Sequence, residues 1–161
     1  MKDLNLYIIE KLHINKDINI YNYHPKTRDE LESLIDKLIE KRGNNADLND
    51  IDVSNVRYMQ YMFYQSEFNG DISKWDVSNV KYMDHMFYES KFNGDISDWN
   101  VSNVTNMSDM FASSKFNQDI SSWDISNMKN AQGMFMGCEN FNCDLSNWNV
   151  ENLENGNAMF A

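Results

Sequence analysis

A period of 24 residues runs through most of this chain and restricts what it can fold into. The segment Phe68-Asn69-Gly70-Asp71-Ile72-Ser73-Lys74-Trp75-Asp76-Val77-Ser78-Asn79-Val80 returns at Phe92 to Val104, at Phe116 to Met128 and at Phe141 to Leu153, with spacings of 24, 24 and 25 residues. An earlier, degenerate copy keeps Asp47-Leu48 and Asp52-Val53-Ser54-Asn55-Val56 and carries Ile51 in place of the tryptophan. Residues 46–161 therefore read as five units, and residues 1–45 as a leader. A unit this short cannot bury its own apolar face, so copies must stack and equivalent residues must fall into columns.

Within a unit, the alternation Asp71, Ile72, Ser73 reads as a very short strand with isoleucine inward. Val56, Met59 and Met62-Phe63 recur as Val80, Met83 and Met86-Phe87, then as Val104, Met107 and Met110-Phe111. That spacing predicts a one-sided helix of about two turns. Ser54, Ser78, Ser102 and Ser126 stand ahead of it as candidate N-caps. The expectation is an α/β repeat: a right-handed solenoid with short parallel strands on one side and short helices on the other.

Stacking explains why a hydrophilic chain holds nine Phe, four Trp and eleven Met. Trp75, Trp99, Trp123 and Trp148 form one column, Phe68, Phe92, Phe116 and Phe141 a second, and Phe63, Phe87, Phe111, Phe135 and Phe160 a third. A tryptophan ladder could grip sugars, but beside other apolar columns it reads as core. The methionines read as gap-fillers. Asn55, Asn79, Asn103, Asn127 and Asn152 read as a structural ladder bonding the free backbone groups of turns. The column Asp47, Asp71, Asp95, Asp119 and Asp144 places like charges about 5 Å apart, and something must offset them. Local amides and the neighbouring Ser73, Ser97 and Ser121 are the plainer answer; a calcium ion or a basic partner is the sharper one.

The unit Phe-Asn-x-Asp-Ile-Ser-x-Trp-Asp-Val-Ser-Asn-Val-x-x-Met-x-x-Met-Phe resembles the BspA-like leucine-rich repeats of bacterial surface proteins, the type first noted in mycoplasma lipoproteins. The resemblance covers residues 46–161. It implies a leucine-rich-repeat-like solenoid used in adhesion or protein binding, with no activity of its own. A short helical leader ahead of such repeats also looks like gene products of bacteriophages and mobile elements.

In the leader, Leu4 to Leu12 has the apolar spacing of a short helix. Thr27-Arg28-Asp29-Glu30 forms a capping-box pattern before Leu31, Leu34, Ile35, Leu38 and Ile39, with Gly43 as the stop. This second helix is expected to be a small helical N-terminal cap on the first coil, and residues 1–20 a docking peptide. The opening residues do not read as a signal peptide, which leaves cell surface (by the resemblance), virion and cell interior as locations. At the other end, Met159-Phe160-Ala161 falls inside a repeat, where an uncovered coil would be a self-association surface.

The net charge of -11 is uneven, with eight basic and eight acidic residues in 1–45 against six and seventeen in the remainder. Such a repeat surface repels phosphate backbones, which argues against nucleic acid, and no apolar run is long enough for membrane insertion. A protein partner, a basic one included, or a glycan remains. Two outward surfaces are candidates. One is aromatic: Tyr58, Tyr61, Tyr64, Tyr82, His85 and Tyr88, where later units have Asn106, Asp109, Asn130 and Gly133. These either anchor a partner or pack on the leader helix. The other is the expected sheet face with Asp71, Ser73, Asp95, Ser97, Asp119 and Ser121.

Catalysis has little support. His13, His24 and His85 share no column, and Cys138 and Cys143 have neither a histidine partner nor zinc-ligand spacing; they either bridge or fill small positions. The regular aspartate ladder lacks the unequal environments that split acid and base roles. No cofactor or metal is expected. The readings left are a non-catalytic protein-binding or adhesion-type module, and a structural or virion-associated component of a phage or similar assembly docked through its leader.

Overall fold

A computed structural model of the chain describes residues 21–161. The helix expected over Leu4 to Leu12, and the docking role of residues 1–20, lie outside the described residues. The second leader helix spans Arg28–Arg42. Thr27 Oγ1 accepts from the Glu30 amide at 3.2 Å, and Glu30 Oε2 accepts from the Lys26 amide at 2.7 Å, one residue earlier than a standard capping box closes. Gly43, at φ 87°, donates its N–H to the Ile39 carbonyl and ends the helix.

Leu31, Ile35 and Leu38 bury the inner stripe of this helix in the same core as the first coil. The lid has a second part that the sequence pattern did not suggest. Tyr23 pairs in parallel with Ile51, and Asp52 N–H donates to the Tyr23 carbonyl at 2.8 Å. Arg42 clasps both parts, donating to both oxygens of Asp50 at 2.9 Å while its guanidinium lies 5.8 Å from the Tyr23 ring centroid. The same carboxylate accepts from Asn22 Nδ2.

The repeats stack with equivalent residues in register. Phe63, Phe87, Phe111, Phe135 and Phe160 stack face to face at centroid spacings of 5.4, 5.5, 5.7 and 5.5 Å. The Phe68, Phe92, Phe116 and Phe141 column lies alongside and meets the first column at 4.0 to 4.9 Å. The tryptophans are buried, and each indole N–H donates to a backbone carbonyl of the preceding coil: Trp75 to Leu48, Trp99 to Ile72, Trp123 to Ile96 and Trp148 to Ile120. A buried indole must find such an acceptor, and the repeat supplies one per coil.

The right-handed leucine-rich-repeat-like solenoid of parallel strands and short helices is not what the chain builds. Among the described residues Arg28–Arg42 is the one helix, and the coils meet through isolated parallel bridges, such as Asp47 with Asp71 and Tyr58 with Tyr82, with no sheet. Backbone conformation explains the missing helices. Tyr61, Gln65, His85, Glu89, Asp109 and Ser113 have φ between 51° and 61°, and Gly133 and Gly137 hold the same left-handed conformation. A left-handed residue every fourth position cannot continue an α-helix.

Alternate amides in this segment donate to the next coil instead: Met59 to Tyr82, Tyr61 to Asp84, Phe63 to Met86 and Gln65 to Tyr88. Those between close three-residue turns, as Met62 to Met59 and Tyr64 to Tyr61. Met59, Met62 and Phe63 are buried as a helix would bury them, so the apolar period is real while the hydrogen bonds run elsewhere. Ser54, Ser78 and Ser102 cap no helix. Their hydroxyls donate to Asp52, Asp76 and Asn100 two residues earlier, as in Asx turns, and the Ser126 amide donates likewise to Asp124. The expected strands fail for a related reason: Asp71 Oδ1 takes the Ser73 N–H at 2.9 Å, which turns the chain after one bridge.

Candidate functional site

The six outward aromatic residues gather on one surface over two adjacent coils, as three cross-coil pairs. Tyr58 stacks on Tyr82 with centroids 5.7 Å apart and planes 8° off parallel; Tyr64 stacks on Tyr88 at 5.2 Å and 9°. Between them Tyr61 stacks on His85 at 4.7 Å and 15°. Tyr61–Tyr64 and His85–Tyr88 contacts at 5.7 and 5.6 Å join the central pair to one flank. The helix Arg28–Arg42 does not bury them: Tyr58, Tyr61, Tyr64 and Tyr82 are 52, 46, 41 and 37% exposed. Its nearest polar link is Arg28 Nε to the Gln60 carbonyl at 2.9 Å.

Two carboxylates that sequence reasoning did not single out sit beside this surface. His85 Nε2 lies 3.6 Å from Asp109 Oδ2, and His85 Nδ1, buried without a hydrogen bond, lies 3.9 Å from Asp84 Oδ2. Asp84 Oδ1 accepts from Asn106 Nδ2 at 3.1 Å. Loss of water around Asp84, reinforced by the negative Asp109, raises its pKa above the ordinary carboxylate value although His85 opposes this. The column Tyr61, His85, Asp109, Gly133 is visible in the sequence as a 24-residue spacing. Its common left-handed backbone is signalled there only by Gly133.

The second candidate surface carries its own local bonding. Asp47, Asp71, Asp95, Asp119 and Asp144 each accept, through Oδ1, the amide two residues on. Ser73 and Ser97 add their hydroxyls at 2.7 Å, and the Ser121 amide bonds Asp119 at 2.9 Å. The plainer of the two answers is therefore the one built into the coil. Beside this row runs a ladder the repeat pattern did not disclose: Asn69 Oδ1 accepts the Asn93 amide, Asn93 the Asn117 amide and Asn117 the Asn142 amide. Asn79, Asn103, Asn127 and Asn152 bond serine carbonyls of the preceding coil at 2.7 to 2.9 Å, exposed and not buried.

These bonds lower the pKa of Asp95, Asp119 and Asp144, first through the amides of Ser97, Ser121 and Ser146. A carboxylate held below its unfolded value contributes stability at neutral pH that is lost as pH falls through the folded value. Melting midpoints are therefore expected to hold steady above about pH 5 and fall below about pH 4. The triple variant Asp95→Asn, Asp119→Asn, Asp144→Asn keeps an acceptor oxygen and is expected to flatten that fall. Asn100 and Asn149 already make the same turn. An unchanged acid slope in the triple variant would contradict the assignment.

Ser54 Oγ donates to Asp52 at 2.6 Å while His24 Nδ1 lies 3.2 Å from the other oxygen, so serine and histidine both face the carboxylate. Cys138 and Cys143 are free thiols, both pushed up in pKa first by burial. Among the described residues no three His, Cys, Asp or Glu side chains converge where a metal ion could sit, and no helix is long and apolar enough to cross a membrane. No curated protein and no solved structure matches the chain. One family model matches it three times, over residues 9–93, 29–114 and 88–161, and by that match the chain belongs to the repeat family described as "Mycoplasma protein of unknown function, DUF285".

Proposed function

We propose that this chain is a non-catalytic binding module that holds a protein partner through the tyrosine and histidine surface of its first and second coils. The observation that carries this is a cluster of large rings left exposed on one surface of two adjacent coils: Tyr58, Tyr61, Tyr64 and Tyr82 are 52, 46, 41 and 37% exposed while stacked in cross-coil pairs. Rigid, exposed, clustered aromatic rings are what an interface anchor requires.

The stacking also selects the kind of partner. Each ring of a pair covers one face of the other, so no sugar can lie between paired rings, and the ring edges and phenol oxygens favour a protein's side chains. The aspartate column supports the non-catalytic reading. Asp95, Asp119 and Asp144 are all lowered, each first by a serine amide, whereas acid–base pairs need environments that push two carboxyls apart.

The test is the triple variant Tyr58→Ser, Tyr64→Ser, Tyr82→Ser made in the producing cell. It is expected to sediment as the bare chain where wild type sediments as a complex, with far-UV dichroism retained. A complex of unchanged size and abundance would overturn the proposal.

A further inference from the structure

We infer that the partner inserts an arginine side chain into this surface, against the carboxylates of Asp84 and Asp109; the inference rests on the binding role proposed above. Most other acidic groups of the described residues are offset nearby. Asp50 has Arg42, Glu32 has Arg28 and Glu154 has Lys129, while the exposed aspartate column is bonded to backbone amides. Asp84 and Asp109 differ. Among the described residues, His85 is the one basic side chain within 4 Å of either carboxylate, and neither distance is a good hydrogen bond. Asp84 gains one side-chain donor, Asn106, on Oδ1.

Two under-compensated carboxylates from adjacent coils thus lie at the edge of an aromatic surface, partly shielded from water, where a charge-assisted bond is strongest. The surroundings favour arginine over lysine. A guanidinium presents donors in a plane, so one group can bridge two carboxylates and reach the phenol oxygens, while an ammonium acts as a point charge. Its weaker hydration also suits a partly dry seat.

The charge around the surface gives the insertion a direction. Arg57 and Lys81 immediately precede Tyr58 and Tyr82 and lie at that margin, whereas Glu89, bonded to Gln65, follows Tyr88 at the other. A cationic side chain is repelled at the first margin and drawn from the second toward Asp84 and Asp109.

Hexa-arginine titrated calorimetrically into the full chain, with hexalysine as comparator, tests the inference. Wild type is expected to bind hexa-arginine about tenfold more tightly than hexalysine, and Asp84→Asn/Asp109→Asn to lose that preference and about tenfold in affinity. Asp95→Asn/Asp119→Asn removes the same charge elsewhere and is expected to stay within about twofold of wild type. Equal losses in the two double variants would mean diffuse attraction to an acidic chain and would overturn the inference, as would equal affinity for the two peptides. If the tyrosine variant still abolished the cellular complex, only the arginine assignment would fall, and the binding role would stand.

Discussion

Phe87→Ala is expected to cost this fold about 3–5 kcal/mol, as truncation of a fully enclosed aromatic side chain does. The ring is fully buried and touches four others: Phe63 at 5.4 Å, Phe111 at 5.5 Å, Phe92 at 4.4 Å and Trp99 at 6.4 Å. In a stack where each coil contacts only its neighbours, that loss falls on both interfaces of the second coil. Phe160 belongs to the same column but is 63% exposed and stacks only on Phe135, so Phe160→Ala is expected to cost well under half as much. Urea unfolding of the two variants measures the contrast. Equal costs would mean that the column is not a graded stack.

Gly70→Ala is expected to be the most damaging single methyl addition, destabilising by about 1–3 kcal/mol. A Cβ there would run into the Ala46 carbonyl oxygen, which accepts the Asp71 N–H at 3.0 Å and ties the first coil to the second. Backbone cannot swing aside as a side chain can. Gly94 is the internal control: its nearest backbone atom, the Gly70 carbonyl oxygen, would lie 3.2 Å from the added carbon, and Gln118 fills the next equivalent position. Gly94→Ala is expected to cost less than Gly70→Ala, because the buried Phe92 ring, 2.8 Å from the added carbon, must shift while no backbone atom comes closer than 3.2 Å. A larger loss at Gly94 than at Gly70 would contradict the coil spacing described here.

The columns of this fold were legible in the sequence because burial repeats with the chain's own period. Met59, Met62 and Phe63, or Trp75 and Ile72, point inward whichever way the backbone bonds. The hydrogen-bond path was not legible. A helix and a run of turns bury the same residues, and six of the left-handed residues that separate them, from Tyr61 to Ser113, are not glycines. Only Gly133 and Gly137, four apart, carried that signal. The aromatic surface was readable from its spacing, but Asp84 and Asp109 were not, because their importance lies in what surrounds them across a coil boundary.

The tyrosine surface, and not the aspartate column, is expected to meet the partner. A photo-crosslinking phenylalanine analogue placed at Tyr64 in one protein and at Ser97 in another, irradiated in the producing cell, compares the two surfaces directly. A discrete adduct from position 64 and little or none from position 97 is the expected result. The same adduct from both positions, or one from position 97 alone, would contradict the account.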